Sequence, residues 1–407
     1  MADRLRIVAE LADMKILQWK DRETLLSVQR GRLEKTISAA LGTAHYSKKL
    51  AGLRAPELAQ DLSAAPFTSK DDVFGKAGDF LSAGVPPQKL IGVKTSGMGG
   101  VPLALYRDRA FDDYCIARGI FLETEWGASP FDLQAHLFAK AGPEKGFPYP
   151  KIRLSIFAPE ERNLGTIRKR GVRIVSGHTN TIAIMAGIND GHRLKSVFAT
   201  AETLKPASRR LIEASFGCRV FDHYGATEFH SIAWECPEEG RLHANIDSCA
   251  IEIVGRNGRP KRGGTGEVVV TSLKNLSMPL VRYRLGDLAS WGRDCPCGRS
   301  LPVLKKVSGR TSETILLPSG RRRTMEALGA LHELSGIRAF QLIQERTGLL
   351  VFRFVRAPGF RESLKAEVRG ILKKGCLGEP VAVEFEETDR LKRHRSGKIP
   401  DFISRIG

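Results

Sequence analysis

The sequence predicts an α/β protein with a large N-terminal layered α/β domain and a small C-terminal α+β domain of ferredoxin-like type. Between residues 150 and 300, short apolar runs alternate with helical patterns, an order typical of α/β layers. From 245 to 290 the pattern becomes rich in alternating strands. After about residue 310 a new unit begins that mixes strands and helices. We place the domains at residues 1–308 and 309–407.

The individual elements follow from local patterns. The first 60 residues are predicted to be helical, because apolar residues recur at near-helical spacing among charges. Strands are predicted at 154–157, 172–175, 197–199, 219–221, 250–254 and 266–271, with a helix over 204–216. Asn257-Gly258 predicts a hairpin turn. In the C-terminal unit we predict strands at 315–317, 339–344, 349–355 and 381–386, and helices over 325–334 and 359–374.

Composition restricts the class of protein. Hydrophobic residues make up 42% and charged residues 27% of the 407, which suits a globular protein. Neither an apolar run of about 18 residues nor a signal-peptide pattern is visible, so we expect a cytoplasmic protein without a membrane partner. The net charge of +19 favours anionic partners such as nucleotides. Few aromatic residues interleave with the basic runs, which argues against single-stranded nucleic acid.

Four short segments permit phosphate or carboxylate chemistry. The turn at 95–102 combines hydroxyls with glycines, which let backbone N–H groups approach a phosphate, although it lacks the P-loop pattern. The segment 224–228 offers a threonine hydroxyl to a phosphate and a glutamate to Mg²⁺. The segment 283–287 places a carboxylate where ribose hydroxyls can bind. Lys398 follows a glycine and can reach an α-phosphate. Each segment alone also fits an ordinary loop or turn.

In this order the segments resemble the adenylate-forming superfamily of acyl-CoA synthetases and peptide-synthetase adenylation domains, from about residue 60 to 400. The narrower resemblance is to the branch that contains phenylacetate–CoA ligase and coenzyme F390 synthetase. It is carried by the segments 66–70, 277–284 and 294–299.

The resemblance implies a role for each matched residue. The implied phosphate loop consists of Thr95, Ser96, Gly97, Gly99 and Gly100. The implied catalytic residues are Thr227 on the α-phosphate, Glu228 on Mg²⁺ and Lys398 as the adenylation lysine. The other implied ATP contacts are Asp287 on ribose with Arg310 beside it, and Ala201, Glu202, Tyr224 and Gly225 around adenine. The acid is expected to lie near Phe198, Ala199, His223 and Phe229, which flank these motifs.

The implied reaction has two halves. A small carboxylic acid attacks the α-phosphorus of ATP and releases pyrophosphate, and a thiol, usually that of coenzyme A, then displaces AMP. The C-terminal domain rotates between the halves, so Lys398 serves only the first.

Two alternatives stay open. One is another acceptor, which can be an amine, a carrier-protein thiol or a group that receives AMP itself. The other is a degenerate homologue that binds nucleotide or nucleic acid without catalysis, because Met98 and Gly99 stand where hydroxyl residues are usual. Retention of Glu228, Asp287, Arg310 and Lys398 together argues against the second. A homodimer is also left open.

A cysteine–histidine set predicts a structural zinc site. Cys236, His243, Cys295 and Cys297 form a Cys₃His composition, which is common in closed zinc sites. Free buried thiols are the alternative, and Cys249 is a substitute ligand. With four protein ligands no position stays open for a catalytic water, so the expected role is structural.

Overall fold

The computed structural model describes residues 3–95, 102–139, 142–144, 150–255, 257–310, 314–357, 359–394 and 397–406. For 142–144, 306–310 and 326 it describes the backbone only. The contacts divide the chain into two compact units, and each unit contains two stretches of sequence. The first unit joins 1–129 to 221–307, and the second joins 130–220 to 308–407.

The helices and strands are as follows. The α-helices are α1 Arg4–Leu17, α2 Arg22–Leu41, α3 Tyr46–Lys49, α4 Ala55–Gln60, α5 Lys70–Val73, α6 Arg109–Glu125, α7 Glu160–Arg170, α8 Thr179–Gly187, α9 Pro206–Phe216 and α10 Leu364–Gly375. The strands are β1 Ile91–Lys94, β2 Ala104–Arg107, β3 Gln134–Phe138, β4 Gly142–Glu144, β5 Lys151–Ser155, β6 Ile174–His178, β7 Ser196–Thr200, β8 Arg219–Tyr224, β9 Ala233–Glu235, β10 Leu242–Ala244, β11 Cys249–Val254, β12 Gly266–Ser272, β13 Tyr283–Trp291, β14 Val303–Arg310, β15 Thr314–Leu316, β16 Arg322–Thr324, β17 Ile337–Arg346, β18 Leu349–Arg356, β19 Ala382–Glu387 and β20 Phe402–Ser404. Among the described residues, no helix combines the length and apolar character needed to cross a bilayer.

The first unit is built on antiparallel strands. Their order is β11-β12-β13-β14-β10-β9-β8, and β11 pairs with β12 through the turn that contains Gly258, whose φ is 76°. Polar caps fix where its helices begin. Asp21 accepts the N–H of Thr24 at 2.8 Å at the start of α2, and Asp108 accepts the N–H of Phe111 at 2.8 Å at the start of α6.

The second unit contains a parallel sheet. Strands β5, β3, β6 and β7 are neighbours in that order and run parallel, while β4 adds to the edge antiparallel to β5. Helices α7, α8 and α9 alternate with these strands along the chain. Their apolar faces share one buried cluster with the sheet that includes Ile167, Ile182, Val197 and Ile212. Parallel strands of this kind gather their carboxyl ends at one edge, which is where ligands bind in open α/β sheets.

The C-terminal part of the second unit has its own sheet, in the order β19-β18-β17-β20. Strand β17 is antiparallel to β18 and parallel to β20, and β18 is parallel to β19. Phe340, Phe352 and Phe354 are buried between this sheet and α10. The stretch predicted as a helix over 325–334 is a 3₁₀ helix, Met325–Glu333, with non-helical dihedrals at Leu328.

The predicted fold class is confirmed, with a large strand-and-helix part and a smaller C-terminal α+β part. Strands β7, β8, β11 and β12 include the predicted strand ranges, because short runs rich in Val, Ile and Phe mark them in the sequence. The division of contacts places 308–407 with 130–220. The prediction of an independently mobile domain at 309–407 stays a prediction.

Candidate active site

Two tyrosines hold two carboxylates in the first unit. The Tyr224 hydroxyl at the end of β8 donates to Asp287 Oδ2 at 2.9 Å, and the Tyr283 hydroxyl at the start of β13 donates to Glu228 Oε1 at 3.2 Å. The Phe229 ring packs against Tyr283 with centroids 5.9 Å apart. A carboxylate that accepts one bond from a tyrosine keeps further lone pairs for a ligand. The structure therefore brings together two of the predicted segments, 224–228 and 283–287.

The turn after β8 requires a glycine. A Cβ on Gly225 would lie 2.2 Å from the carbonyl oxygen of His230, so no larger residue fits without moving the backbone. The N–H groups of Phe229 and His230 both donate to the carbonyl of Ala226, which closes the turn. Thr227 is exposed on this turn. Its contact with the α-phosphate stays a prediction.

The start of β13 is anchored by a buried arginine. Arg282 has a φ of 47° and forms an ion pair with Glu252, with Nη2 2.9 Å from Oε1. Its carbonyl accepts the N–H of Thr68 at 3.0 Å, and Thr68 in turn accepts the N–H of Arg284 at 2.9 Å. The buried polar groups at Arg282 therefore all have partners, and these contacts anchor the start of the strand that carries Tyr283 and Asp287.

The predicted phosphate loop is described only at its base. Thr95 and Leu103 exchange two hydrogen bonds, from Thr95 N to Leu103 O at 3.0 Å and from Leu103 N to Thr95 Oγ1 at 2.9 Å. Ser96, Gly97, Gly99 and Gly100 lie outside the described residues. Thr95 therefore closes the loop, and its hydroxyl keeps a proton to donate.

Sequence reasoning missed Arg107. It lines a crevice of about 10 Å³ together with Thr227, Glu228 and Asn275, and its Nη2 lies 2.7 Å from Asp112 Oδ1. A guanidinium there adds positive charge beside two predicted ATP contacts. Residue 107 lies on a short strand that matches no motif, so nothing in the sequence singled it out.

Lys398 lies at the carboxyl edge of the parallel sheet in the second unit. The two peptide groups that follow it, at the N–H and the carbonyl of Ile399, contact Glu202 and Asn180, which follow β7 and β6. His178, the last residue of β6, is the titratable group beside it. Burial, with repulsion from Lys398 and Arg393, lowers the pKa of His178 to about 4, so the imidazole is neutral at pH 7.

The predicted adenine segment directly follows β7. Ala201 has a φ of 70°, a backbone conformation that is costly for a residue with a Cβ. The Glu202 carboxylate accepts backbone N–H groups from Asn180 and Ile399, each at 2.9 Å. Burial raises the pKa of Glu202, while these two amides act in the opposite direction. Both oxygens of the Glu202 carboxylate therefore accept hydrogen bonds from backbone amides. The role of this segment in binding adenine stays a prediction.

The residues predicted to contact the acid are found on two strands and one turn. Ala199 packs into the apolar core of the second unit, and Phe198 on the opposite face of β7 is also buried. In the first unit, His223 Nε2 lies 2.9 Å from Ser231 Oγ, and Phe229 is buried. Arg310 ends β14, and its side chain lies outside the described atoms. These roles stay predictions.

The four predicted zinc ligands meet in the first unit. Their ligand atoms all lie within 4.8 Å of one another, with Cys295 Sγ 3.8 Å from Cys236 Sγ and Cys297 Sγ 3.4 Å from His243 Nε2. A tetrahedral ion with Zn–S bonds of about 2.3 Å separates two sulfurs by about 3.8 Å. The donor set and spacing therefore fit zinc. The predicted substitute ligand, Cys249, is outside this group and contacts Ser248 and Ser231.

A buried arginine completes the surroundings of the cluster. Arg299 Nη1 lies 3.9 Å from Cys236 Sγ, and its guanidinium forms ion pairs with Glu125 and Glu238, both at 2.7 Å. Burial alone would raise the pKa of Cys297, but hydrogen bonds from Arg299 hold it below its usual value. Burial lowers the pKa of His243 to about 4. These two shifts favour the metal-binding protonation states of Cys297 and His243, whereas burial raises the pKa of the Cys236 and Cys295 thiols.

Comparison with known sequences gives short matches. No protein-family model matches the chain. Phenylacetate-coenzyme A ligase from Thermus thermophilus is 31% identical over 123 residues, which is 29% of this chain and 28% of that protein. Protein CapK from Staphylococcus aureus is 28% identical over 120 residues, 29% of this chain and 25% of that protein. The matches thus span about a quarter of the length of each relative.

Comparison with solved structures covers the whole fold. 2-Hydroxyisobutyryl-CoA ligase, in its postadenylation state with 2-HIB-AMP, has a TM-score of 0.81 at 19% identity and covers 96% of this chain and 91% of its own. The anthranilate CoA ligase AuaEII, bound to anthranoyl-AMP, has a TM-score of 0.58 at 16% identity, over 78% and 67%. The protein therefore has the fold of the adenylate-forming ligases. The resemblance to phenylacetate–CoA ligase that the motifs suggest is confirmed by these matches.

Proposed function

We propose that the protein adenylates a carboxylic acid with ATP and then transfers the acyl group to coenzyme A. The observation that carries the proposal is the pair of tyrosine-held carboxylates, Asp287 and Glu228, at the ends of neighbouring segments of an adenylate-forming fold. A binding protein could use a ribose contact, but it has no need of Lys398 as well.

In the first half-reaction, a carboxylate oxygen of the acid attacks the α-phosphorus of ATP. The bond from that phosphorus to the bridging oxygen breaks, and pyrophosphate leaves with the electron pair. Asp287 accepts hydrogen bonds from the ribose hydroxyls, and Thr227 binds an α-phosphate oxygen. Lys398 offsets the charge that develops at phosphorus. Thr95 and the glycine loop that follows bind the remaining phosphates.

In the second half-reaction, the thiol of coenzyme A attacks the acyl carbonyl and loses its proton to solvent. The bond between the carbonyl carbon and the phosphate oxygen breaks, and AMP leaves. We infer that residues 309–407 change position between the halves, which removes Lys398 after adenylation. The 2-hydroxyisobutyryl-CoA ligase, solved with 2-HIB-AMP and CoA in its thioesterification state, supports this order of events.

Two metals belong to the proposal. Glu228 would hold Mg²⁺ together with phosphate oxygens, because this ion prefers oxygen ligands and keeps part of its coordination for the substrate. Zinc would be held by the Cys₃His cluster, in which all four positions are protein ligands. The zinc would tie the segment after β9 to the segment before β14 and would take no part in the chemistry.

An amine acceptor is the second candidate. The amide bond synthetase McbA from Marinactinospora thermotolerans shares the fold, with a TM-score of 0.55 at 16% identity over 79% of this chain and 70% of its own. The adenylation half is the same for both candidates. Only the group that displaces AMP differs.

The test is a pyrophosphate-release screen over aromatic and short aliphatic acids, with and without coenzyme A. We expect release and AMP formation with at least one acid, and a thioester detected by mass only when coenzyme A is present. Lys398→Ala should abolish pyrophosphate release while ATP binding, measured by calorimetry, persists. Release without thioester but with amide from added amines would favour the second candidate. Absence of release with every acid would refute both.

A further inference from the structure

The peptide groups around Lys398 are held by hydrogen bonds from their own segment and from side chains that follow β6 and β7. The carbonyl of Gly397 accepts from Arg393 Nη1 at 3.0 Å, and the carbonyl of Lys398 accepts from the N–H of His394 at 2.9 Å. Both backbone groups of Ile399 are also paired. Three consecutive residues centred on Lys398 therefore have their backbones fixed.

Ile399 is bound by two side chains at the edge of the parallel sheet. Glu202 Oε1 accepts its N–H, and Asn180 Nδ2 donates to its carbonyl, both at 2.9 Å. Glu202 Oε2 also accepts the backbone N–H of Asn180 at 2.9 Å, so the Glu202 carboxylate joins the backbones of Asn180 and Ile399. The Ile399 side chain is 5% exposed and packs with Leu391 and Val355. Ile399 is thus held both by hydrogen bonds to its backbone and by apolar packing of its side chain.

Arg393 holds the other side of Lys398. Its Nη1 contacts Thr181 Oγ1 at 2.9 Å on α8, and its Nη2 forms an ion pair with Glu160 at the start of α7. Both side chains of that ion pair are largely buried, at 14% and 11% exposure. Gly397 has a φ of 84°, and a Cβ there would overlap the Ile156 side chain. The backbone therefore lies against the sheet edge where only glycine fits.

We propose that Asn180, Glu202 and Arg393 form a latch that sets Lys398 for the adenylation half-reaction and is released for the second. They are positioning residues, since they act through the backbone on each side of the lysine. This inference rests on the proposed function and adds the residues that decide where the lysine stands. Any movement of residues 391–401 away from the sheet edge must break these contacts, so their strength sets the fraction of chains that are ready to adenylate.

The latch predicts a split between the two half-reactions. Arg393→Ala removes contacts with three groups, and Asn180→Ala removes the hydrogen bond from its side-chain amide to the Ile399 carbonyl. We expect ATP–pyrophosphate exchange to fall about tenfold or more in Arg393→Ala, because its bonds are charge-assisted, and about three- to tenfold in Asn180→Ala, because a neutral hydrogen bond contributes less. Thioester formation from a supplied acyl-adenylate and coenzyme A should be unchanged or faster.

Lys392→Ala is the matched control. It removes a positive charge from the same segment, but this side chain is exposed and its backbone carbonyl, which accepts from Gln341, is retained. The control should leave both half-reactions at the wild-type rate. Glu202→Gln keeps the shape of the side chain, but its amide NH₂ faces one of the two backbone N–H donors and cannot accept from it. This variant should lower ATP–pyrophosphate exchange in the same way as Asn180→Ala.

The outcomes separate the inference from the function on which it rests. Parallel loss of both half-reactions would show a general structural role, and unchanged exchange would show that the contacts do not position the lysine; either result overturns the latch alone. A wild-type protein without exchange for any acid overturns the proposed function and the latch with it. Hydrogen exchange at residues 391–401 supplies a readout independent of activity, and it should rise in Arg393→Ala and not in Lys392→Ala.

Discussion

Removal of one cysteine ligand should destabilise the first unit far more than the loss of that side chain's packing contacts would. Cys236 and Cys295 are 59 residues apart in sequence, with their sulfurs 3.8 Å apart. A cross-link that closes a loop of this length stabilises a protein by about 4 kcal/mol in chain-entropy terms. In a unit of roughly 200 residues, each kcal/mol shifts the melting temperature by about 2–4 °C. A Cys297→Ala variant that no longer holds the ion loses this cross-link, and its melting temperature is expected to fall by about 8–16 °C.

The assay combines metal analysis with thermal melting, followed by circular dichroism. Wild-type protein should contain about one zinc per chain, and a strong chelator should reproduce the shift seen in Cys297→Ala. Cys249→Ala is the matched control, because this buried thiol is outside the cluster and its loss costs packing and two weak thiol contacts, with Ser248 and Ser231. A wild-type protein without zinc, or equal shifts in the two variants, would refute the reasoning.

Two further outcomes are expected. Tyr224→Phe keeps the ring but removes the hydrogen bond to Asp287, so the dissociation constant for ATP should rise about tenfold by calorimetry; unchanged affinity would contradict the ribose role. Burial, helped by Arg118, lowers the pKa of His223 to about 4. Because the folded state holds this imidazole neutral, its full contribution to folding stability is present above pH 6.5 and is lost as the pH falls toward 4. The loss amounts to about 2 kcal/mol at pH 5. The free energy of unfolding, measured with urea, should fall less between pH 7 and pH 5 in His223→Gln than in the wild type. Equal falls would exclude His223 as a source of the pH dependence.

The sequence was a good guide wherever one local pattern decides the outcome. Strands β11 and β12 are recognisable because apolar residues alternate within them and a glycine turn lies between. The helix predicted over 325–334 was less accurate, because Gly329 weakens a regular helix there and the observed 3₁₀ turns kink at Leu328. The grouping of 130–220 with 308–407 depends on contacts between distant segments, which no local pattern contains.

The candidate site was predictable only in part for the same reason. Glu228 and Asp287 stand in motifs, so their type and order pointed to nucleotide chemistry before their tyrosine partners were visible. Arg393 lies in the basic run 390–395, and a solvated surface explains such a run equally well. Its partner Glu160 is 233 residues away. Glu202 was placed near adenine by its position in the chain, whereas its bonds to Asn180 and Ile399 depend on how the chain folds back on itself.

The surroundings of Arg299 also constrain how the chain is made. Its Nε donates to Gln18, which is 281 residues earlier, and its guanidinium covers the Trp19 ring at 4.4 Å. At about 5–20 residues per second, a ribosome needs roughly 15–55 s to add that length. For that interval the end of α1 lacks its partner. Nascent chains that stall before residue 299 should therefore engage chaperones through their first helices, and a pause after that point should be harmless to them.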